Sequence, residues 1–310
     1  MNANTNNTNM PANGSKVYEM VTKRILQRMM QGEIPWRQTF FLTKKDGKNP
    51  YRNYITGKPY SLLNAMLLGD PGEYATMKQI NDLGGAVAPG SKGKFVVYWG
   101  EYIPKENKEE AKRLEEEGKD ISHLKVRFPK YYYVFNVKDA VGLPEKKEEA
   151  KPQMQAAIAP VDIADLAVKD YTRKEKVKIE TDPVLEPAYI ASTDTVQTPG
   201  KQAFSLEEDY YASLFDALVH STSTEGRCDR KREYTRLSED NMSVKEELIG
   251  DIGSSMILSV AGMKREETHQ QLAADCQRWI AAFQNDYRLV VNASSAAEKA
   301  AKMILGEFAE

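Results

Sequence analysis

Over residues 144–160, PEKKEEAKPQMQAAIAP, the chain is rich in Pro, Glu, Lys and Ala and loses all hydrophobic periodicity, the pattern of a linker rather than of a packed element. The sign of the charge reverses at the same place. Residues 15–140 hold 22 Lys+Arg against 15 Asp+Glu, a net +7, whereas residues 141–310 hold 21 against 30, a net −9. A 310-residue chain cut there yields two parts of ordinary domain size. The sequence therefore predicts two domains, at 15–143 and 161–310. Residues 1–14, MNANTNNTNMPANG, are Asn/Thr-rich and nearly without apolar side chains, so they read as a disordered tail.

Hydrophobic residues at 41% and charged residues at 28% belong to a folded chain. No run approaches the roughly 18 apolar residues that span a bilayer, and the N-terminus has no signal-peptide pattern. A cytoplasmic location without a membrane partner is expected. Cys228 and Cys276 are the only cysteines, too few for a disulfide framework, and are expected to be reduced packing residues.

In the first part, Val17, Met20, Val21, Ile25 and Met29 recur at helical spacing up to a stop at Gly32 and Pro35. Turns and short strands follow around Asn53 and Thr56-Gly57-Lys58-Pro59. Short helices are expected at SLLNAMLLG and at Met77–Leu83. Phe95–Trp99 and Tyr131–Val137 carry the β-branched and aromatic content of strands. They are expected to pair, with a solvated helix inside the charged insert between them. This is an α+β domain. The glycine-rich loop Gly84–Gly93 lacks the Walker spacing and reads as a hairpin turn able to touch a phosphate.

The basic bias of this part is the kind of surface that phosphate backbones reward. Trp36, Tyr51, Tyr54, Tyr60, Tyr98 and Trp99 alternate with Arg37, Lys44, Lys45, Lys48, Arg52, Lys58, Lys92 and Lys94. Such interleaving suits single-stranded nucleic acid, whose bases stack on aromatic faces while its backbone meets basic side chains.

The second part reads as mainly helical, with a short helix at Val161–Val168, strand-like pieces at Lys176–Ile179 and Ala188–Ile190, and a turn at Thr193–Thr195. Capping boxes are expected at Ser205/Glu208 and Ser295/Glu298. On the helix Asp209–His220, Tyr211, Leu214, Phe215, Leu218 and Val219 form an apolar stripe. Asp216 and His220 occupy the spacing of the two histidines of an HExxH zinc motif. The segment reads Asp216-Ala217-Leu218-Val219-His220. Ala217 stands where the general base is needed, and Ala accepts no proton. Neither His123 nor His269, the remaining histidines, lies at motif spacing from His220. Glu247 and Asp251, one turn apart, suit a third ligand and a carboxylate behind the ligands. Asp216, His220 and Glu247 could hold Zn²⁺ or a harder cation. The alternative is a packed helix with His220 hydrogen-bonded locally.

Several segments resemble the ArdC family of antirestriction proteins carried by plasmids and conjugative elements. In the first part they are Pro35-Trp36, Asn53 with Thr56-Gly57, Tyr60 with Asn64, Thr76–Gln79, Gly84-Gly85, Gly90–Gly93, Val134–Val137 and Gly142–Pro144. In the second part Asp209–Phe215, Leu218–Thr222 and Glu246–Ile249 resemble the family's metallopeptidase helix with its HELVH motif and a later segment. The resemblance implies a zincin-like second domain behind a single-stranded DNA-binding first domain. The expected DNA contacts are Trp36, Arg37, Arg52, Tyr54, Lys58, Tyr60, Asn64, Lys92, Lys94 and Trp99. Asp216 and Ala217 replace the first His and the catalytic Glu, so peptidase activity does not carry over. The sequence predicts a DNA-binding antirestriction-type accessory protein with a pseudo-peptidase domain. Its acidic second half is a candidate surface for a host restriction or other protein. The alternative is a metal-dependent hydrolase using Asp216, His220 and Glu247.

Overall fold

A computed structural model describes residues 12–38, 49–144, 159–230, 243–265 and 267–309. Lys44, Lys45 and Lys48 lie outside these residues, as do most of the expected tail and linker. The first helix, α1 (Ala12–Met29), starts inside the expected tail. Its stripe of Val17, Val21, Ile25 and Met29 is fully buried, as i, i+4 spacing requires. A four-stranded sheet has the order β1-β2-β5-β4. It contains β1 (Tyr51–Asn53), β2 (Gly72–Ala75), β4 (Lys94–Tyr102) and β5 (Val126–Asn136). β1 runs parallel to β2, and the other pairs are antiparallel. The expected β4–β5 hairpin is present, with α4 (Lys108–Glu116) in its excursion.

β4 is an edge strand, and α2 (Leu62–Leu68) lies beside it. The Asn64 amide imitates a missing strand there. Its Nδ2 donates to the Val97 carbonyl at 2.8 Å, and its Oδ1 accepts from the Val97 N–H at 2.7 Å, which satisfies main-chain groups that an open edge exposes. β3 (Ala86–Val87) pairs with β6 (Ala140–Val141) rather than with β4. The Gly84–Gly93 segment is thus a connection between sheets and not a hairpin turn. The remaining helix of this half, α3 (Met77–Asp82), is closed by a Thr76/Gln79 capping box.

The second half opens with α5 (Pro160–Glu175), longer than its sequence signal. A three-stranded sheet follows in the order β7-β9-β8, made of β7 (Lys178–Thr181), β8 (Ala188–Ile190) and β9 (Thr195–Thr198). Four long helices complete it: α6 (Glu207–Ser221), α7 (Val244–Ala261), α8 (His269–Asn285) and α9 (Leu289–Leu305). Neither expected capping box forms. The residue before α6 is Leu206, without a side-chain cap. Ser295 and Glu298 lie well inside α9, because buried Leu289, Val290, Val291 and Ala293 carry the helix upstream of them. Among the described residues of this half, a capping box forms at Thr268/Gln271, at the start of α8.

One hydrophobic core runs through both halves. Trp36, 1% exposed, sits edge-on to Trp279 and Phe283 of α8, with ring centroids 6.4 and 6.1 Å away. Arg37 follows it across. Its guanidinium donates to Asp251 of α7 at 2.9 and 2.8 Å and to Asp275 of α8 at 2.7 Å. A fourth bond, of 2.5 Å, goes to Glu267. Asp251 also accepts the Trp279 indole N–H at 3.1 Å.

Candidate nucleic-acid interface and candidate metal centre

The β4–β5 hairpin turns tyrosines outward on both of its faces. Tyr98, Tyr131, Tyr132 and Tyr133 are 44, 38, 36 and 50% exposed. In the antiparallel register Tyr132 lies opposite Val96 and Tyr98 opposite Lys130. Directly paired residues share a face, which places Tyr98 and Tyr132 together, 5.6 Å between ring centroids. Arg127 covers the Trp99 ring at 5.5 Å, and Lys130 lies over Phe128 at 5.0 Å. Beside this face opens a cleft of about 480 Å³. Its first wall is the Asn53–Asn64 segment, its second Val97, Tyr98, Trp99 and Tyr132, and its third Val291, Ser295 and Glu298 of α9. The Asn53 side chain shapes the entrance by accepting from the Ile55 and Thr56 N–H groups at 3.0 and 2.9 Å. Gly57, at φ +67°, completes that turn and leaves Lys58 exposed at the rim. Burial pushes the Tyr60 hydroxyl up to about 12.

Of the ten expected contacts, the cleft gathers Lys58, Tyr60, Asn64 and Trp99. Asn64 spends both amide groups on Val97, which makes it a support rather than a base reader. Lys92 is exposed on the connection into β4. The others are corrected by their surroundings. Trp36 is enclosed in the core and has no face for a base. Arg37 is consumed by three carboxylates. Arg52 pairs with Glu73 at 3.1 Å. Tyr54 is buried against Ala75 and Ile80, its hydroxyl 3.3 Å from the Pro144 carbonyl. Lys94 bonds Asp70 at 2.5 Å and the Leu68 carbonyl at 2.6 Å. Sequence reasoning left Tyr132 out of the contact set. The Tyr131–Tyr133 run signalled a strand, but which of its rings shares a face with Tyr98 is set by the register with β4, which no local pattern reports.

The second candidate lies on α6. His220 is 3% exposed. Its Nε2 is 3.4 Å from Asp216 Oδ2 and its Nδ1 3.2 Å from Glu246 Oε1. Glu246 is fully buried and takes two bonds from Arg230, at 3.1 and 2.8 Å. Arg230 also donates to the Thr222 hydroxyl at 2.9 Å and to the Val219 carbonyl at 3.0 Å. Burial alone would lower the His220 pKa, but Asp216 and Glu246 outweigh it and push the ring up to about 9. Glu246 moves the other way: burial would raise it, and the bonds from His220 and Arg230 hold it below the ordinary glutamate value. Gly250 of α7 is packed against this pair, since a Cβ there would fall 2.5 Å from Asp216 Oδ1 and 2.7 Å from His220 Nε2.

This geometry revises the expected ligand set. The carboxylate at His220 is Glu246, in the position that fixes a tautomer through the second ring nitrogen. Glu247 instead forms an ion pair with Arg278 of α8. Asp251 serves Arg37 and Trp279, not a metal ligand. Adjacent residues on a helix point about 100° apart, and sequence spacing could not decide between Glu246 and Glu247. Among the described residues no three His, Cys, Asp or Glu groups converge as a metal site would require. Ala217, 2% exposed, offers no base. Among the described residues Asp216, His220 and Glu247 are therefore not brought together as the ligands of a zinc-type centre.

Residues 15–135 match the family model for the N-terminal domain of anti-restriction factor ArdC, and residues 167–296 match that for a zincin-like metallopeptidase. Crystal structures of the antirestriction ArdC protein from the R388 plasmid, Mn(II)-bound and metal-free, superpose with TM-scores of 0.67 and 0.64 at 28% identity. They cover 94% of this chain and 98% and 97% of those chains. Two Escherichia coli proteins named DNA primase TraC are 28% and 27% identical over 308 and 301 residues. These matches take in 93% and 91% of this chain but 27% and 19% of the relatives, so the chain spans about a quarter or less of their length. The chain thus joins an α+β module of the kind found at the N-terminus of ArdC to a zincin-like metallopeptidase domain. The chain is an ArdC-like two-domain protein, similar in both halves to the antirestriction ArdC protein.

Proposed function

We propose that this protein binds single-stranded DNA as an antirestriction-type accessory of a plasmid or conjugative element, and that its zincin-like domain is catalytically impaired. The observation that carries the binding half is the cleft with its outward tyrosines, Tyr98 and Tyr132, beside exposed Lys58. Stacked bases contribute roughly 1–3 kcal/mol each on such rings, and a duplex keeps its base faces covered. The impairment rests on Ala217 in place of the general base and on Asp216 in place of a histidine. The net −9 of the second half is the surface we assign to a host restriction or other protein.

The test is fluorescence anisotropy of labelled single strands and duplexes with the full chain across a salt series. Single strands should bind preferentially and lose affinity as salt rises. Tyr132→Ala should weaken binding about five- to hundredfold, while Trp36→Phe should leave it unchanged in folded protein. Equal affinity for duplex would sink the stacking argument. Protein hydrolysis that persists in purified protein and disappears in His220→Ala would overturn the impairment.

A further inference from the structure

The single-strand reading leaves open what the cleft itself receives, and its third wall bears on that. α9 begins six residues before Ser295. Val291, Ser295 and Glu298, at i, i+4 and i+7, therefore form one stripe facing the cleft instead of a helix cap. The cavity, about 480 Å³, is within the range of about 300–1,000 Å³ typical of small-ligand sites. Tyr60, Tyr98, Trp99 and Tyr132 supply aromatic walls. The Tyr60 hydroxyl is buried without a hydrogen bond of ordinary geometry, near Asn53 and Tyr132.

We propose that this cleft seats one unpaired nucleobase, and that the Glu298 carboxylate makes it select a base bearing an amino group, cytosine above thymine. The inference rests on the single-strand reading above. Glu298 is held in place by the Leu62 N–H, 3.1 Å from Oε2, and by Lys302, 2.7 Å from Oε1. A carboxylate has about four acceptor sites and, when ionised, no donor, so accepting capacity remains. It repels a phosphate, which favours the base end of the nucleotide inside and leaves the phosphate to Lys58 at the rim. It accepts from the cytosine N4 amino group and opposes the thymine O4 acceptor. The stacking walls tolerate either ring, so Glu298 sets the choice.

The experiment uses the full chain with labelled oligodeoxycytidine and oligodeoxythymidine of equal length, and a third oligomer whose cytosines are replaced by 2-pyrimidinone, which lacks the amino group. Wild type should bind the cytosine oligomer about tenfold more tightly than thymine, the scale of one specific base contact. The pyrimidinone oligomer should lose that advantage. Glu298→Gln keeps an acceptor for the Leu62 N–H but adds a donor, and should bring the ratio close to one. A ratio near one in wild type with binding intact overturns the inference and leaves the single-strand reading standing, as does a ratio that survives Glu298→Gln. Failure of every oligomer to bind removes the single-strand reading and this inference together. The pyrimidinone arm needs no variant, so an advantage that survives loss of the amino group overturns the inference even where Glu298→Gln fails to fold.

Discussion

Replacing Arg37 with Met should destabilise the protein severely while leaving DNA binding by the folded fraction intact. The Arg37 side chain is 11% exposed, as is that of Asp251, and Glu267 is 12% exposed. Four guanidinium bonds of 2.5 to 2.9 Å join it to three carboxylates. Methionine fills the volume but strands those charges, and breaking a buried pair from one side costs about 3–5 kcal/mol. With an m-value of about 3 kcal/mol per molar urea, the unfolding midpoint falls by about 1–2 M. The loss should shrink in acid. Burial already raises the Glu267 pKa, and Arg37 is the main influence pulling it back down. Without Arg37 it rises further, so the stranded Glu267 takes up a proton more readily as pH falls. Urea melts at pH 7.5 and 5 measure both effects. A midpoint within about 0.3 M of wild type at pH 7.5, or a loss that grows in acid, would refute the argument.

Three further outcomes are expected. The folded-state pKa of His220, pushed up to about 9 from 6.5, makes a contribution fully present below about pH 6.5 and lost as pH rises through 9. Stability should therefore decline by up to about 3 kcal/mol over that window in wild type and not in His220→Gln, as read by denaturant melts in chelator. Glu246→Gln leaves Arg230 and His220 buried without their carboxylate and should cost about 3–5 kcal/mol; a thermal melt unchanged from wild type contradicts the buried network. Asn64→Ala strands the Val97 N–H and carbonyl at the sheet edge, at about 1–3 kcal/mol for each group. Hydrogen exchange at Val97 should then accelerate relative to Val134 of the covered strand, and unchanged protection would argue against the edge-capping role.

Local signals in the sequence carried most of the secondary structure. The β-branched and aromatic content of Phe95–Trp99 and Tyr131–Val137 marked β4 and β5, and the helical stripe from Val17 to Met29 marked α1. The capping boxes misled because S-x-x-E marks a helix start only where packing ends the helix there. At Ser295 the buried run from Leu289 continues it upstream. The binding residues misled for a related reason. Trp36 and Arg37 have the chemistry of DNA contacts, but their partners Trp279, Phe283, Asp251, Glu267 and Asp275 lie more than 200 positions away. No local pattern reports a contact of that separation. The charge reversal at residue 140 pointed to two domains, and it gave no sign that the largest apolar cluster draws residues from both halves.

That shared core has a consequence for how the halves hold together. Trp36 plugs into α8, α2 leans on α9, and α1 touches both α8 and α9. The covalent connection through residues 145–158 is thus not the principal tie. Two polypeptides ending and beginning in that stretch should find each other and assemble as a complemented pair, whereas either alone presents a raw apolar face. For the genes that encode such modules, the implication is that a first half can be exchanged only with a second half whose α8 and α9 accept it.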